Sequence, residues 1–132
     1  MKNIRILSIV MIIFVAFFIS ACSSDNGDVE GYNKITAEEA KGIIDTEDNI
    51  IILDVRTQEE FDEGHIENAV LLPNTEISQR IEEVIPDKDS KILVYCRSGN
   101  RSKSASMEMI EMGYMNVYDF GGIIDWDYDI VK

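Results

Sequence analysis

The stretch KILVYCRSGNRS, residues 91–102, joins an apolar run to a loop of small and basic residues. The run over residues 91–95 predicts a buried strand, and the residues up to 112 predict a helix that begins at Ser102 or Lys103. Cys96 is therefore expected where a strand passes through a short loop to a helix N-terminus. Backbone N–H groups of such a loop attract negative charge, so they favour the thiolate of Cys96 over the thiol.

The charge of the chain supports an anion site at this loop. The sequence has 12 basic and 25 acidic residues and a net charge of -13, which argues against a nucleic-acid partner. Three basic residues nevertheless lie within seven residues of Cys96, namely Arg97, Arg101 and Lys103. A positive pocket in an acidic protein suits a small anionic ligand.

The N-terminus has the features of a targeting segment. Lys2 and Arg5 precede an apolar segment, residues 6–18, and the small residues Ser20 and Ala21 precede Cys22. Such an arrangement is typical of a secretory signal, and the apolar segment is short for a membrane span of about 20 residues. An ordinary signal peptide or an uncleaved anchor helix remains an alternative, and either one still predicts export.

The segment ends in Ile-Ser-Ala-Cys at residues 19–22, and this ending resembles the lipobox of bacterial lipoproteins. The resemblance implies that residues 1–21 are a lipoprotein signal peptide. It also implies that Cys22 is lipidated and anchors an extracytoplasmic protein to a bacterial membrane. Residues 22–31 are small and polar and predict a flexible tether before a folded domain over residues 32–132. Lipidation of Cys22 leaves Cys96 as the single free thiol, so no intramolecular disulfide is expected.

Strand and helix patterns alternate through the domain. Residues 49–55 form a continuous β-branched run, which suits a strand covered on both faces of a parallel sheet. The pairs Thr36 with Glu39 and Thr57 with Glu60 have the spacing of helix capping boxes. The further strands are predicted over residues 32–35, 69–72, 91–95 and 116–120, with a helix over residues 75–85 and a short one over residues 123–127. We therefore predict an α/β fold with a mostly parallel five-stranded sheet flanked by helices, and a site beyond the carboxyl ends of its strands.

Three groups of residues share the motifs of one family. They are Asp54-Val55-Arg56 with Gly64-His65-Ile66, then Cys96-Arg97-Ser98-Gly99-Asn100-Arg101-Ser102, and finally Gly121-Gly122 with Trp126. In these residues the domain resembles the rhodanese family over roughly residues 32–130. The resemblance implies a rhodanese-like three-layer fold and sulfurtransferase activity, with no metal or organic cofactor.

The resemblance also implies roles for the motif residues. Cys96 takes a sulfane sulfur from an anionic donor such as thiosulfate or polysulfide, holds it as a persulfide and passes it to a thiol or cyanide. The substrate-binding loop maps to Arg97, Ser98, Gly99, Asn100, Arg101 and Ser102. Inward N–H groups stabilise the anionic persulfide, and Arg97 could hold an oxyanion donor.

The remaining motif residues have structural interpretations. Asp54 and Arg56 follow a strand and are expected to organise the surrounding loops by hydrogen bonding. His65 is the single histidine of the chain, cannot build a metal site alone, and matches a structural Gly-His-Ile turn. Trp126 is expected in the core or at a pocket rim.

Two other functions remain open at this stage. One is a persulfide carrier or sulfur-responsive binding module with little turnover, which would need Cys96 equally. The other is a cysteine phosphatase or arsenate reductase. Those enzymes use a C-x5-R loop, whereas Cys96 and Arg101 are spaced C-x4-R, a tighter loop that suits a sulfur atom. We expect the protein to be a monomer.

Overall fold

The computed structural model describes residues 29–132, and these residues form one five-stranded parallel sheet with helices on both faces. The strand order is β1-β5-β4-β2-β3. The strands are β1 (Tyr32–Lys34), β2 (Ile50–Asp54), β3 (Val70–Leu71), β4 (Lys91–Cys96) and β5 (Val117–Gly122). The helices are α1 (Ala37–Thr46), α2 (Gln58–Glu63), α3 (Ile77–Val84) and α4 (Asn100–Glu111), with 3-10 turns at Asn74–Glu76 and Ile123–Asp125. The α/β fold and the parallel sheet predicted from the sequence are confirmed.

The central strand β4 is buried on both faces, because successive side chains point to opposite sides of a sheet. Val94 packs into one apolar core with residues of α3 and α4, including Ile81 and Met109. Leu93 and Tyr95 pack into a second core on the other face. Each fully buried aliphatic side chain stabilises the fold by about 1.5–3 kcal/mol, so the two cores fix β4 and the residue at its end.

Both predicted capping boxes are present. Thr36 accepts a hydrogen bond from the Glu39 N–H at 3.1 Å, and the Glu39 carboxylate accepts one from the Thr36 N–H at 2.7 Å. Thr57 and Glu60 repeat the pattern at 3.3 and 3.1 Å. Each cap contributes about 1 kcal/mol by satisfying N–H groups that the helix leaves unpaired.

The structure corrects the predicted boundaries around the cysteine. Helix α4 begins at Asn100, before the predicted start at Ser102 or Lys103, and β4 includes Cys96. The chain turns this sharply because Gly99 adopts a left-handed conformation with φ of 103°, which costs little for glycine. Only residues 97–99 therefore lie between strand and helix, and Asn100, Arg101 and Ser102 belong to the first helical turn. Elsewhere, β5 continues through Gly121 and Gly122, beyond the predicted end of this strand at residue 120.

The predicted signal peptide, the Cys22 lipidation site and the tether residues before 29 lie outside the described residues. Within residues 29–132, every helix is too short or too polar to cross a membrane.

Candidate active site

Cys96 ends β4 at the carboxyl edge of the sheet, in the place where the sequence predicts a site. Cys96 is buried, with 1% of its surface exposed to solvent. The sulfur accepts a hydrogen bond from the Gly99 N–H at a donor–acceptor distance of 3.0 Å. Helix α4 has no side-chain oxygen cap at its N-terminus, and its N-cap residue, Gly99, donates its N–H to the sulfur instead.

The surroundings of the sulfur favour the thiolate. Burial raises the pKa of Cys96, but hydrogen bonds from the Ser102 N–H and hydroxyl and from the N–H groups of Gly99 and Ser98 outweigh it. The pKa of Cys96 is therefore lowered, the direction expected from the sequence. A hydrogen-bonded thiolate is the reactive form of a cysteine nucleophile.

The loop around Cys96 contributes backbone N–H groups more than side chains. The side chains of Arg97, Ser98 and Asn100 are exposed, while Gly99 is half-buried. The Arg97 carbonyl accepts a hydrogen bond from the Ile124 N–H at 3.3 Å, which ties the loop to the 3-10 turn after β5. The Gly99 N–H thus contacts the sulfur directly, while substrate binding by Arg97, Ser98 and Asn100 stays a prediction.

Arg101, predicted to belong to the substrate-binding loop, forms an ion pair with a distant acid. Its two terminal nitrogens donate to the two Glu60 oxygens at 2.7 and 2.8 Å. The hydrogen bonds between the two side chains lower the pKa of Glu60 to about 2 and raise the pKa of Arg101. The charge of Cys96 contributes, after the Glu60 hydrogen bond, to the raised pKa of Arg101. Arg101 is thus held in place by α2 while its charge remains near the site.

Ser102 connects the loop to a buried acid that sequence reasoning missed. Its hydroxyl lies 2.8 Å from the Asp119 carboxylate, which is 0% exposed and belongs to β5. The same carboxylate accepts a hydrogen bond from the Gly121 N–H at 2.9 Å. The sequence signal for Asp119 was an acidic residue inside an otherwise apolar strand, and such a residue is rarely buried without partners.

Gly122 packs directly against the backbone of Arg97 and Ser98 in the loop. A β-bulge pairs Val94 with Asp119 but Cys96 with Gly122, so β5 carries one residue more than β4 between the two pairs. A Cβ atom on Gly122 would lie 2.2 Å from the Arg97 carbonyl oxygen and 2.6 Å from the Ser98 Cα. The close approach of the two backbones is possible only for glycine.

Asp54 and Arg56 organise the loops beside the site, as predicted. They form a buried ion pair in which Arg56 Nη2 lies 2.7 Å from Asp54 Oδ2. The same nitrogen donates to the Gly64 carbonyl at 2.8 Å, and the guanidinium lies 5.5 Å from the centre of the Tyr95 ring. Arg56, in the loop before α2, thereby fixes that loop to Gly64 after α2 and to Tyr95, the residue preceding Cys96.

His65 is part of a structural turn. Its ring stacks on Phe61 with centroids 3.6 Å apart, and Nδ1 donates to the Phe61 carbonyl at 2.9 Å. Its backbone pairs in antiparallel fashion with Val131. Both ring and backbone are thus engaged away from the sulfur, which agrees with the structural interpretation of the Gly-His-Ile motif.

Trp126 packs against Phe120 and Tyr128 and lines a cavity of about 530 Å³. None of residues 96–102 lines this cavity. The tryptophan is therefore both a core residue and a pocket rim, as expected. Among residues 29–132, no three or more His, Cys, Asp or Glu side chains come together as metal ligands could.

A cysteine with a lowered pKa, at a helix N-terminus and at the carboxyl edge of a parallel sheet, is placed as a nucleophile for a small anionic substrate. The model of the rhodanese-like domain matches residues 36–128. The chain is 37% identical to the thiosulfate sulfurtransferase PspE of Escherichia coli over 73 residues, which cover 55% of this chain and 70% of that protein. It is 38% identical to a sulfurtransferase of Allochromatium vinosum, with 71% of this chain and 87% of that protein covered.

The solved structures agree with this class. A rhodanese with anions from E. coli superimposes with a TM-score of 0.59 and 35% identity, covering 62% of this chain and 96% of that one. The chain belongs to the rhodanese-like domain family. Its relatives identify it as a rhodanese-type sulfurtransferase, which confirms the class of enzyme that the sequence predicts.

Proposed function

We propose that the Cys96 thiolate attacks the outer sulfur of a small anionic donor such as thiosulfate or polysulfide. With thiosulfate, a bond forms between Cys96 and the outer sulfur, the S–S bond of the donor breaks, and sulfite leaves with the electron pair. Cyanide or a thiolate then attacks the outer sulfur of the persulfide. The acceptor keeps that sulfur as thiocyanate or a new persulfide, and the electron pair returns to Cys96.

The observation that carries this proposal is the N–H group of Gly99 on the Cys96 sulfur at the N-terminus of α4. A persulfide is an anion, so amides that stabilise the thiolate also stabilise its persulfide. The relative named a thiosulfate sulfurtransferase supports thiosulfate as a donor, and the E. coli rhodanese solved with anions supports an anion site. The C-x4-R spacing of Cys96 and Arg101, one residue shorter than the C-x5-R loop of cysteine phosphatases, supports sulfur transfer over phosphoryl chemistry.

The burial of Cys96 favours one alternative, a persulfide carrier with little turnover. A residue that is 1% exposed offers an acceptor only a small target. Both functions form the same persulfide, and they differ in how quickly small acceptors discharge it.

Turnover with thiosulfate and cyanide separates the two functions. We expect catalytic formation of thiocyanate by the chain and none by Cys96→Ser, with Ser104→Ala on the exposed face of α4 as a control that stays active. A single equivalent of thiocyanate per chain, without turnover, would indicate a carrier. Phosphate release from a phosphomonoester, without any thiocyanate, would overturn sulfur transfer in favour of phosphatase chemistry.

We also propose that the protein is exported and anchored to a bacterial membrane through lipid on Cys22. The basic residues Lys2 and Arg5, the apolar segment 6–18 and the position of Cys22 support this location. In an expressing bacterium, the chain should sediment with membranes and start at a lipidated Cys22, whereas Cys22→Ser should lack the lipid mass. An unmodified Cys22 in a cytoplasmic fraction would contradict the proposal. We expect the domain itself to be a monomer without a nucleic-acid partner.

A further inference from the structure

The cavity of about 530 Å³ beside Trp126, the Trp126 cavity, lies apart from the Cys96 loop. Its lining residues come from three segments, which are α1, the turn at residues 66–68 and the stretch at residues 126–129. Small-molecule sites typically have volumes of roughly 300–1,000 Å³, so this cavity has the size of a ligand site. The chemistry of its lining residues therefore indicates which ligand it suits.

Two aromatic rings in the Trp126 cavity lie beside a cation of the chain itself. The rings of Trp126 and Tyr128 meet edge to face, with centroids 4.9 Å apart. The ammonium nitrogen of Lys41 lies 5.4 Å from the centre of the Tyr128 ring, and the same nitrogen is paired with Asp45. The electron-rich face of an aromatic ring attracts a cation at this distance. The Lys41 ammonium thus marks a position at which the cavity accepts an organic cation.

The lining of the cavity carries more negative than positive charge. Its acidic residues are Asp45, Glu67, Asp127 and Asp129, and its basic residue is Lys41. Within residues 29–132, Asp45 forms an ion pair with Lys41, and the other three acids form none. Carboxylates without a cation, next to an aromatic ring that binds one, favour a positively charged ligand.

The arrangement of these groups favours an organic cation over a metal ion. Among the described residues, no three acidic side chains converge as metal ligands could. Ile44 and Ile66 also line the cavity and offer apolar contacts, which a hydrated metal ion cannot use. A carbon chain that carries ammonium groups matches both the apolar contacts and the separated carboxylates.

We propose that the Trp126 cavity binds an aliphatic amine, with an ammonium group on the ring of Tyr128 and the carbon chain against Ile44 and Ile66. This site is separate from sulfur transfer and does not depend on Cys96. The ammonium group of Lys41 occupies the ring in the free chain, so the amine displaces it on binding. Lys41 therefore lowers the affinity of the site.

The test is a fluorescence titration of the full chain, in which Trp126 is the single tryptophan and reports on the cavity directly. We expect cadaverine, a five-carbon diamine, to change the emission to saturation, with one equivalent bound by calorimetry. At constant ionic strength, the corresponding diol and magnesium chloride should leave the emission unchanged. The absence of a saturable response to cadaverine would overturn the proposal. An equal response to the diol or to magnesium would overturn it as well.

Substitution of Lys41 gives the sharpest variant, because the proposal predicts a gain. Lys41→Met frees the ring of Tyr128 and the carboxylate of Asp45, so it should tighten cadaverine binding by roughly 2–5-fold. Lys103→Met, on an exposed position of α4, makes the same change in net charge and should leave the affinity unaltered. Equal effects of the two variants would show that overall charge alone attracts the amine, which would contradict a site in this cavity.

Two further variants test the ring and the carboxylates. Tyr128 is 39% exposed, so Tyr128→Leu leaves the core in place and should weaken binding by roughly 2–5-fold. Asp129→Asn should also weaken binding, whereas Glu83→Gln removes the same charge from an exposed position of α3 and should not. Unchanged affinity in both Tyr128→Leu and Asp129→Asn would overturn the proposal. None of these measurements needs a sulfur donor, so they do not depend on whether thiosulfate is a substrate.

Discussion

The carboxylate of Glu60 accepts hydrogen bonds from both terminal nitrogens of Arg101, although the two residues are 41 positions apart in the sequence. Glu60 also closes the capping box with Thr57 at the start of α2. One side chain therefore stabilises a helix N-terminus and ties that helix to the first turn of α4. The link holds a positive charge close to Cys96 and leaves the backbone of the loop free to face the sulfur.

This pair should make stability depend on acid pH. The pKa of Glu60 lies at about 2, below its ordinary value, so its contribution is complete above that ordinary value and is lost as pH falls towards 2. At neutral pH, Glu60→Gln should lower the free energy of unfolding by about 1 kcal/mol. The difference from the parent chain should shrink between about pH 4.5 and pH 2. Urea denaturation over this pH range measures the difference in the free energy of unfolding, and Glu59→Gln in the same helical turn is the control. A difference that does not change with pH would argue against the Glu60–Arg101 ion pair.

The buried pair of Asp54 and Arg56 should matter more than any surface pair. Removing Arg56 leaves a fully buried carboxylate without its cation, which costs about 3–5 kcal/mol. Arg56→Ala should therefore lower the urea midpoint strongly. Arg80→Ala, which removes the exposed partner of Glu76, should cost no more than about 1 kcal/mol. Equal losses in the two variants would show that the Asp54–Arg56 pair is not stabilising the loops.

Glycine at position 122 should be required for sulfur transfer. An added methyl group would meet the Arg97 carbonyl at 2.2 Å, so the loop must move away from the sulfur in Gly122→Ala. Displacement of a reacting group by about 1 Å can cost roughly 100-fold in rate. Thiocyanate formation measures the loss. Gly42→Ala is the matched control, because a Cβ there meets nothing within 4 Å inside α1, and it should raise stability by about 0.5–1 kcal/mol with activity intact.

Cys96 should react as a thiolate below the pH at which an ordinary cysteine does. Hydrogen bonds from Ser102, Gly99 and Ser98 outweigh burial and lower its pKa. The pH at which alkylation by iodoacetamide reaches half of its maximal rate should therefore lie below about 8.5, the pKa of a free cysteine. Because Cys96 is 1% exposed, bulky disulfide reagents should react far more slowly than iodoacetamide. A midpoint at or above that of free cysteine would mean that burial dominates.

Local features of this chain could be predicted because their causes are local. The capping boxes at Thr36 and Thr57 depend on residues three positions apart, and the run ending at Cys96 carries its own burial pattern. The position of the nucleophile followed from these patterns and from the rule that parallel sheets bind ligands at their carboxyl edge. Gly99 was visible as a loop residue, but its left-handed conformation, which starts α4 early, was not.

The partners of the site were beyond sequence reasoning, because they come from distant parts of the chain. Asp119 meets Tyr32 across 87 positions, and it does so only after β1 and β5 pair in parallel. Arg101 was predicted as part of the substrate-binding loop, and nothing in its sequence neighbourhood marks Glu60 as its partner. A charged residue in a motif gives the charge at the site, while the packing of other elements decides which atoms that charge can reach.

The most direct measurement of sulfur transfer through Cys96 is the intact mass of the full chain carrying Cys22→Ser. The mass is recorded after incubation with thiosulfate and again after addition of cyanide, with the chain that also carries Cys96→Ser alongside. We expect a gain of one sulfur atom that cyanide removes, and no gain without Cys96. An unchanged mass after thiosulfate and after polysulfide, with Cys96 reduced and open to alkylation, would contradict a transferable sulfur on this residue.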